Sequence, residues 1–344
     1  MATGSGIDAQ LMIKPETTWG TAVTVDRAYE FTDESLNREI TYVDSSGLRV
    51  GTTFKRSDRT RQSRFSVSGD ITMELPTLGA GLLVKHMLGS SVTTPTLISG
   101  SAYKQVHTPV GLAGLGLTMQ MGRPEPVSPY TVRPFTYEGC KIVKWELSLK
   151  DGGLCMLKLS VDGQEESTVT ALATAAFLAG TKVYSFIDST IKLNGTATTT
   201  AGETSVASGV ALSTVAKSIT ISGDNSLATD RYGIGNAGQK KEQLQNGFQT
   251  ITVKLDSEFS KTELYDTYTA GLPIPIQWTQ TGALIGGGNN FLFDVILPAC
   301  FLKKAPPAVN GPDIVQMSTE WEAEYDGTNP AIQIKVVSTE SASI

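Results

Sequence analysis

Apolar and polar residues alternate along much of this chain, and the alternating segments recur in one order. WELSLKDG (residues 145–152) and WEAEYDG (321–327) show it best: each alternates and then stops at Asp-Gly. Period-two alternation sends successive side chains to opposite faces of a strand, so each stretch reads as a half-buried strand. Asp-Gly supplies the positive-φ residues of a hairpin turn. The two lie 176 positions apart (321 minus 145). FSVSGDITMEL (65–75) is a strand with Phe65, Val67, Gly69, Ile71 and Met73 on one face, and FQTITVKLDSEF (248–259) takes its place 183 positions on (248 minus 65). A short helix follows each: PTLGAGLLVKHMLG, opening at Pro76 with a stop at Gly89, and SKTELYDTYTAG. A polar segment precedes each strand, SSGLRVGTTFKRSDRTRQSR (45–64) and NAGQKKEQLQNG (236–247), and an x-Ser-Leu entry precedes each segment, Glu34-Ser35-Leu36 and Asn225-Ser226-Leu227, 191 apart (225 minus 34). Offsets that drift this slowly are those of a duplicated unit with loop insertions and deletions. Units of about 160 residues are domain-sized, not a short-period solenoid.

The sequence therefore predicts a mainly β chain with one flanking helix per copy. Residues 1–28 form an N-terminal arm, 29–166 the first copy, 167–180 an Ala/Thr-rich linker, and 181–344 the second copy. That second copy carries a Thr/Ser/Gly-rich insertion at about 191–219, read as an exposed hairpin or loop. The arm mixes an apolar patch (Leu11, Met12, Ile13) with Pro15 and a Thr-Thr-Trp-Gly turn. It reads as a flexible terminus, although Trp19 and the patch call for burial.

Charge excludes one large function class. The net charge of −6 argues against a general nucleic-acid binder, which needs a basic footprint. It is compatible with a protein that lets DNA pass without holding it. Cys140, Cys155 and Cys300 show no CxxC spacing and read as reduced thiols. The N-terminus shows no signal peptide and no apolar run is long enough to span a bilayer, so the expectation is synthesis in the cytosol and no membrane partner.

No catalytic constellation stands out. His86 falls among core-like helix residues and His107 beside a Thr-Pro. With two histidines and no cysteine cluster, no metal site and no cofactor are expected. There is no phosphate loop and no nucleophile elbow. Glu320, Glu322 and Glu324 alternate with Trp321, Ala323 and Tyr325 and project from one strand face. That face reads as a solvated surface, as a carboxylate pair at glycosidase spacing, or as a wall meant to carry negative charge. The basic run Lys55-Arg56-Ser57-Asp58-Arg59, with Arg61 nearby, reads as a solvated loop or a protein contact.

ETTWGTA (16–22), ESLN (34–37), SVSGDITMELPTLGAGLLVKHMLG (66–89) and FTYEGCKIVKWEL (135–147) together resemble the tail tube (major tail) proteins of long-tailed, non-contractile bacteriophages. The resemblance covers most of the chain, with residues 191–219 the least family-like part. It implies two tandem tail-tube-like β-sandwich or barrel domains. In such proteins domains join edge to edge around a channel, rings stack, and a long loop and the N-terminal arm bridge subunits. The implied role is a structural virion protein of the tail, assembled in the host cytoplasm. Its implied partners are further copies of itself, the tape measure protein, and tail terminator and tail tip proteins, with DNA passing through the lumen unheld. Two copies per chain imply a trimeric, pseudo-sixfold ring. A hexamer, with the second copy decorating the outside, is the other reading. On this reading Glu320, Glu322, Glu324 and Glu146 are candidates for the channel face. Lys55, Arg56, Arg59, Arg61, Trp19, Lys240 and Lys241 are candidates for inter-ring contacts, with Asp33 and Glu34 as acidic partners. A non-catalytic β-rich binding module of a tail tip or capsid surface is the alternative, and an acid-pair hydrolase the third hypothesis.

Overall fold

The computed structural model describes residues 5–90, 95–126, 131–309 and 311–342. The first four residues of the expected arm lie outside them. The first half contributes β1 (Gln10–Pro15), β2 (Arg27–Tyr29), β3 (Asp33–Glu34), β4 (Asn37–Asp44), β5 (Thr60–Glu74), helix α1 (Ala80–Leu88), β6 (Thr96–Ser99), β7 (Ala102–His107), β8 (Leu117–Glu125), β9 (Thr131–Lys150), β10 (Met156–Gly163) and β11 (Glu165–Ser167). The second contributes β12 (Ser189–Leu193), β13 (Thr196–Thr200), β14 (Glu203–Ala207), β15 (Val210–Ala211), β16 (Ala216–Asp224), β17 (Thr250–Glu258), helix α2 (Glu263–Ala270), β18 (Ile274–Gly286), β19 (Asn289–Lys304), β20 (Pro307–Ala308), β21 (Gln316–Ala323) and β22 (Gln333–Ser338). The chain is mainly β, as the alternation predicts.

Pairing sorts these strands into two layers, and the same succession occurs twice. In the first half the outer layer runs β2–β1–β8–β9–β11 and the inner layer β4–β5–β10–β9. In the second half the outer layer runs β15–β12–β18–β19–β22 and the inner layer β16–β17–β21–β19. The long strands β9 and β19 belong to both layers, as strands that turn the corner of a sandwich do. Each slips register at the same points. β9 slips opposite Leu117/Met119 and Ser160/Val161, and β19 opposite Ile274/Ile276 and Glu320/Trp321. Bulges there bend the strand from one sheet into the other. Between the layers lies one core, with Leu147, Leu159, Trp145, Ile221, Val253, Trp278, Val295 and Trp321 buried.

The inner layers of the two halves are joined. β9 pairs with β16 from Lys150↔Ser218 to Lys144↔Asp224, making one eight-stranded sheet in the order β4–β5–β10–β9–β16–β17–β21–β19. Gly223 lies opposite Trp145, and a methyl group there would overlap the indole. The missing side chain lets Trp145 lie flat across the junction.

Several expectations need correction. The Trp-Glu match is not structural. Trp145 lies on β9 and Trp321 on β21, which holds the place of β10. β10 opens opposite Glu74 and β21 opposite Glu258, so the true offset is 160 (316 minus 156). Nor is the second stretch a hairpin. Gly152 makes a tight turn at φ 68°, with the Gly153 N–H donating to Lys150 at 2.9 Å, but β22, which follows Asp326-Gly327, pairs with β19. Any half-buried strand has this alternation, so likeness in pattern is not likeness in place.

Residues 10–15 do not form a free arm: β1 is an inner strand between β2 and β8. The division at residues 29–166 and 181–344 is crossed as well, since β7 pairs with β22 across Tyr103↔Ser338 to His107↔Ile334. Residues 167–180 run beside β2, where Ala28 bridges Phe177 and the Ala28 N–H reaches the Ala176 carbonyl. Within 191–219 only the β13–β14 hairpin is an excursion. It lies on the outer layer through Glu203 to Lys335 (3.0 Å) and Thr204 N–H to Gln333 (2.7 Å), whereas β12 and β16 are sheet strands.

Candidate functional site: the polar face of the inner sheet

One face of the eight-stranded sheet lies on the core and the other is mostly polar. Register fixes which residues share it. One cross-strand row runs Thr72, Lys158, Glu146, Ser222, Thr252, Glu322. The next runs Glu74, Met156, Ser148, Thr220, Lys254, Glu320. Glu146 and Glu322 thus sit in one row three strands apart, about 14 Å at the usual strand spacing. Glu324 lies just past the end of β21 and is exposed.

The carboxylates are not left bare. Lys158 meets Asp70 at 2.8 Å, Lys144 meets Asp224 at 2.9 Å, Lys254 approaches Glu320 at 3.8 Å, and Lys303 reaches Glu322 at 3.5 Å and Glu324 at 3.1 Å. Ser218 donates to Asp256 at 2.7 Å. Burial works against the charge of Asp70, but hydrogen bonds from Lys158 and Ser160 outweigh it and hold the carboxyl below its ordinary range. Asp224 is likewise held down by Lys144 and the Ser226 N–H against its own burial. The Lys303 ammonium is raised, chiefly by its hydrogen bond to Glu324. The face is a lattice of exposed cross-strand pairs. Each contributes little to stability, but together they leave few lysines there able to hold a phosphate.

The candidate contact residues divide. Lys55, Arg59, Arg61 and Lys241 are exposed; Arg56 is partly covered and pairs with Asp58, and Lys55 pairs with Asp44 at 2.7 Å. Lys55, Arg56 and Arg59 sit on the 45–59 loop beyond β4. Trp19 is half-buried, its indole N–H donating to the Gly139 carbonyl at 3.1 Å within the chain. Lys240 is a correction: only 1% exposed, it is paired with buried Asp162, to which Gln243 also donates at 2.8 Å. Glu34 is occupied by Arg123 through two bonds of 3.0 and 2.9 Å. Reasoning from sequence missed Asp162, Lys141 and Glu242. Lys141, buried on β9, donates to Leu112 O (2.8 Å), Glu242 (2.7 Å) and Gln243 O (3.0 Å). These bonds hold the 225–249 loop of the second half against the first.

Burial pushes both histidines down to about 3, and pushes the Cys155 thiol up to about 12. Among the described residues no group of three or more His, Cys, Asp or Glu could hold a metal ion, and no helix is long and apolar enough to cross a membrane.

The family model described as phage tail tube protein matches residues 6–323, nearly the whole chain. The chain belongs to the phage tail tube protein family. Comparison with curated proteins gives no match. A tail tube protein is a structural component of the virion tail and assembles with itself and other tail proteins into a tube.

Proposed function

We propose that three chains close a ring of six similar half-units, that their inner sheets join into one barrel wall, and that stacked rings form the conduit through which DNA leaves the capsid. One observation carries this reading. The sheet is joined in its middle by the outer edge of β16 and the outer edge of β9, and its two open edges are the counterparts of that pair. β3 and the start of β4 stand beside β5 as β16 stands beside β17; Lys304 and β20 stand beside β21 as Lys144, Leu147 and Ser148 of β9 stand beside β10. An open edge is an aggregation hazard in a monomer and a joint in a ring. The chain repeats its own internal joint with the next copy, and three repeats return to the start. Pro307, just beyond β19, removes one donor from that open edge and so limits unguided pairing of free chains.

The polar face with Glu146 and Glu320 then lines the lumen, with Glu322 and Glu324 at its rim. Its lysines are engaged by carboxylates and its acids repel phosphate, so DNA slides without salt-dependent attachment. The tape measure protein occupies the same lumen before DNA does, and terminator and tip proteins close the two ends. Assembly in the host cytoplasm agrees with the buried free thiols at Cys140, Cys155 and Cys300.

The open edge gives a direct test. The Phe65 N–H points away from β4, to the Gly238 carbonyl at 3.2 Å, so Ile40 opposite it turns its own N–H to the open side. Ile40→Pro removes a donor that only a neighbour uses. The expected result by electron microscopy and thermal melting is a chain that melts as the parent does but forms no rings. Normal tubes from this variant would contradict the edge joint.

A further inference from the structure

The two long loops of the inner sheet are counterparts, but only one has a partner. Glu39 faces Ser66 on β5 and Asp224 faces Thr250 on β17, and both strands end eight residues later, at Glu74 and Glu258. Residues 40–65 and 225–249 therefore join matching positions. The second loop folds over the first half. Lys240 buries its ammonium on Asp162, Gln164 donates to the Lys240 carbonyl at 3.0 Å, and Tyr232 lies under Arg64, 4.9 Å from the ring centre. The first loop projects. Lys55 has a side chain 74% exposed, and Leu48, Val50 and Phe54 are bare.

Counting places the matching groups. Lys240 stands sixteen residues after Asp224, and Lys55 sixteen after Glu39; counted back from the strand, Lys240 is ten before Thr250 and Arg56 ten before Ser66. Both ends of the loop thus put a cation at the same point. Asp162 is the seventh residue of β10 and Glu322 the seventh of β21; Gln164 and Glu324 each follow the end of those strands. Phe248, almost fully exposed, holds the place of Arg64 before β17, and Leu48 that of Tyr232. Within the chain the cation meets its acid because the halves are adjacent. Residues 48–55 of the 40–65 loop project away from the chain, and the ring reading sets the second half of the next chain beside them.

We propose that the 40–65 loop clasps a second copy of this chain within the same ring, with Lys55 and Arg56 on Glu322 and Glu324 and with Leu48 against Phe248. The inference rests on the ring reading and adds to it a residue-level contact in the plane of the ring, in place of an inter-ring role for the basic loop. The loop chemistry fits: bare apolar residues flank two cations, and the receiving end offers two carboxylates paired with the exposed Lys303. Trading exposed pairs for partly covered ones on docking costs little.

The test uses the full-length Lys55→Cys/Glu322→Cys variant, assembled and then mildly oxidised. Both positions are surface positions, and the three native thiols are buried and do not compete. The expected result on a denaturing gel is linked dimers and closed trimers, with nothing larger. A ladder that closes at six keeps the clasp and overturns the threefold ring. A ladder without limit means the loop reaches the next ring and overturns the clasp, as do normal tubes that do not cross-link. A parent chain that never forms rings overturns both readings. Charge reversal gives a second readout. Lys55→Glu or Glu322→Lys alone should raise the concentration needed for assembly about tenfold, the equivalent of about 1.4 kcal/mol, and the two together should restore it. Additive effects in the double variant would overturn the pairing.

Discussion

Lys240→Met is expected to destabilise the folded chain by about 3–5 kcal/mol, measured as a fall in the urea midpoint, because it leaves the buried Asp162 carboxylate without its counter-ion. Asp162 is 5% exposed, and burial already pushes its carboxyl up while Lys240 pulls it down. Gln243 still donates to it in the variant, so part of the charge stays compensated. Lys240→Met/Asp162→Leu removes both charges and should recover most of the loss, since an apolar pair of similar volume replaces the ion pair. The loss belongs to the 225–249 loop as well as to the core. Releasing Lys240 also frees the neighbouring loop bonds to Gln164 and Glu165, so the single variant should be cut by protease in this loop before the rest of the chain. A single variant as stable as the parent would mean that the loop does not hold the two halves together.

Acid should begin to destabilise the chain below pH 6.5, before its carboxylates titrate. His86 on α1 and His107 on β7 are buried, and burial first, then Lys85 beside both and Lys141 beside His86, lowers each from 6.5 to about 3. A depressed histidine is neutral in the fold and charged in the unfolded chain once pH falls below 6.5. The unfolded state then binds more protons, so stability falls with pH from 6.5 down to about 3. Each histidine removes about 1.4 kcal/mol per pH unit in that window. The pair therefore costs about 5 kcal/mol by pH 4.5, comparable with the whole stability of a small domain. Asp162, Glu16 and Glu138, pushed up by burial, carry the opposite sign from their ordinary carboxyl values upward and offset part of this loss. Urea midpoints at pH 7.5 and 4.5 measure the slope, and His86→Gln/His107→Gln should flatten it. An unchanged slope in that variant would assign the acid sensitivity elsewhere.

What the sequence made legible was local. The strands of the inner sheet, with Val67, Ile71 and Met73 or Ile251, Val253 and Leu255 buried on one face, follow from period two alone, and both helices end where the glycines predict. Strand β1 was hidden because it is covered on both faces: Leu11 and Ile13 enter the main core, while Met12 joins a separate cluster with Val25 and Ala28. A strand buried on both sides shows no alternation. The pairing of β7 with β22 was hidden because register between strands more than 200 residues apart leaves no local trace. The candidate luminal acids could be read from alternation, whereas the burial of Lys240 could not, because its partner lies 78 residues away. The Trp-Glu likeness misled for the reason that made the strands legible: one pattern serves every strand of such a sheet.

The central claim is that three chains close one barrel from three eight-stranded sheets. Cryo-electron microscopy of assembled tubes, reconstructed without imposed symmetry, tests it most directly. The account predicts threefold rings with six similar half-units, the edge from Lys304 to Ala308 of each chain beside β3 and β4 of the next, and Glu146 and Glu320 facing the lumen. Rings of six chains, with the second half outside the wall and those glutamates away from the channel, would contradict it.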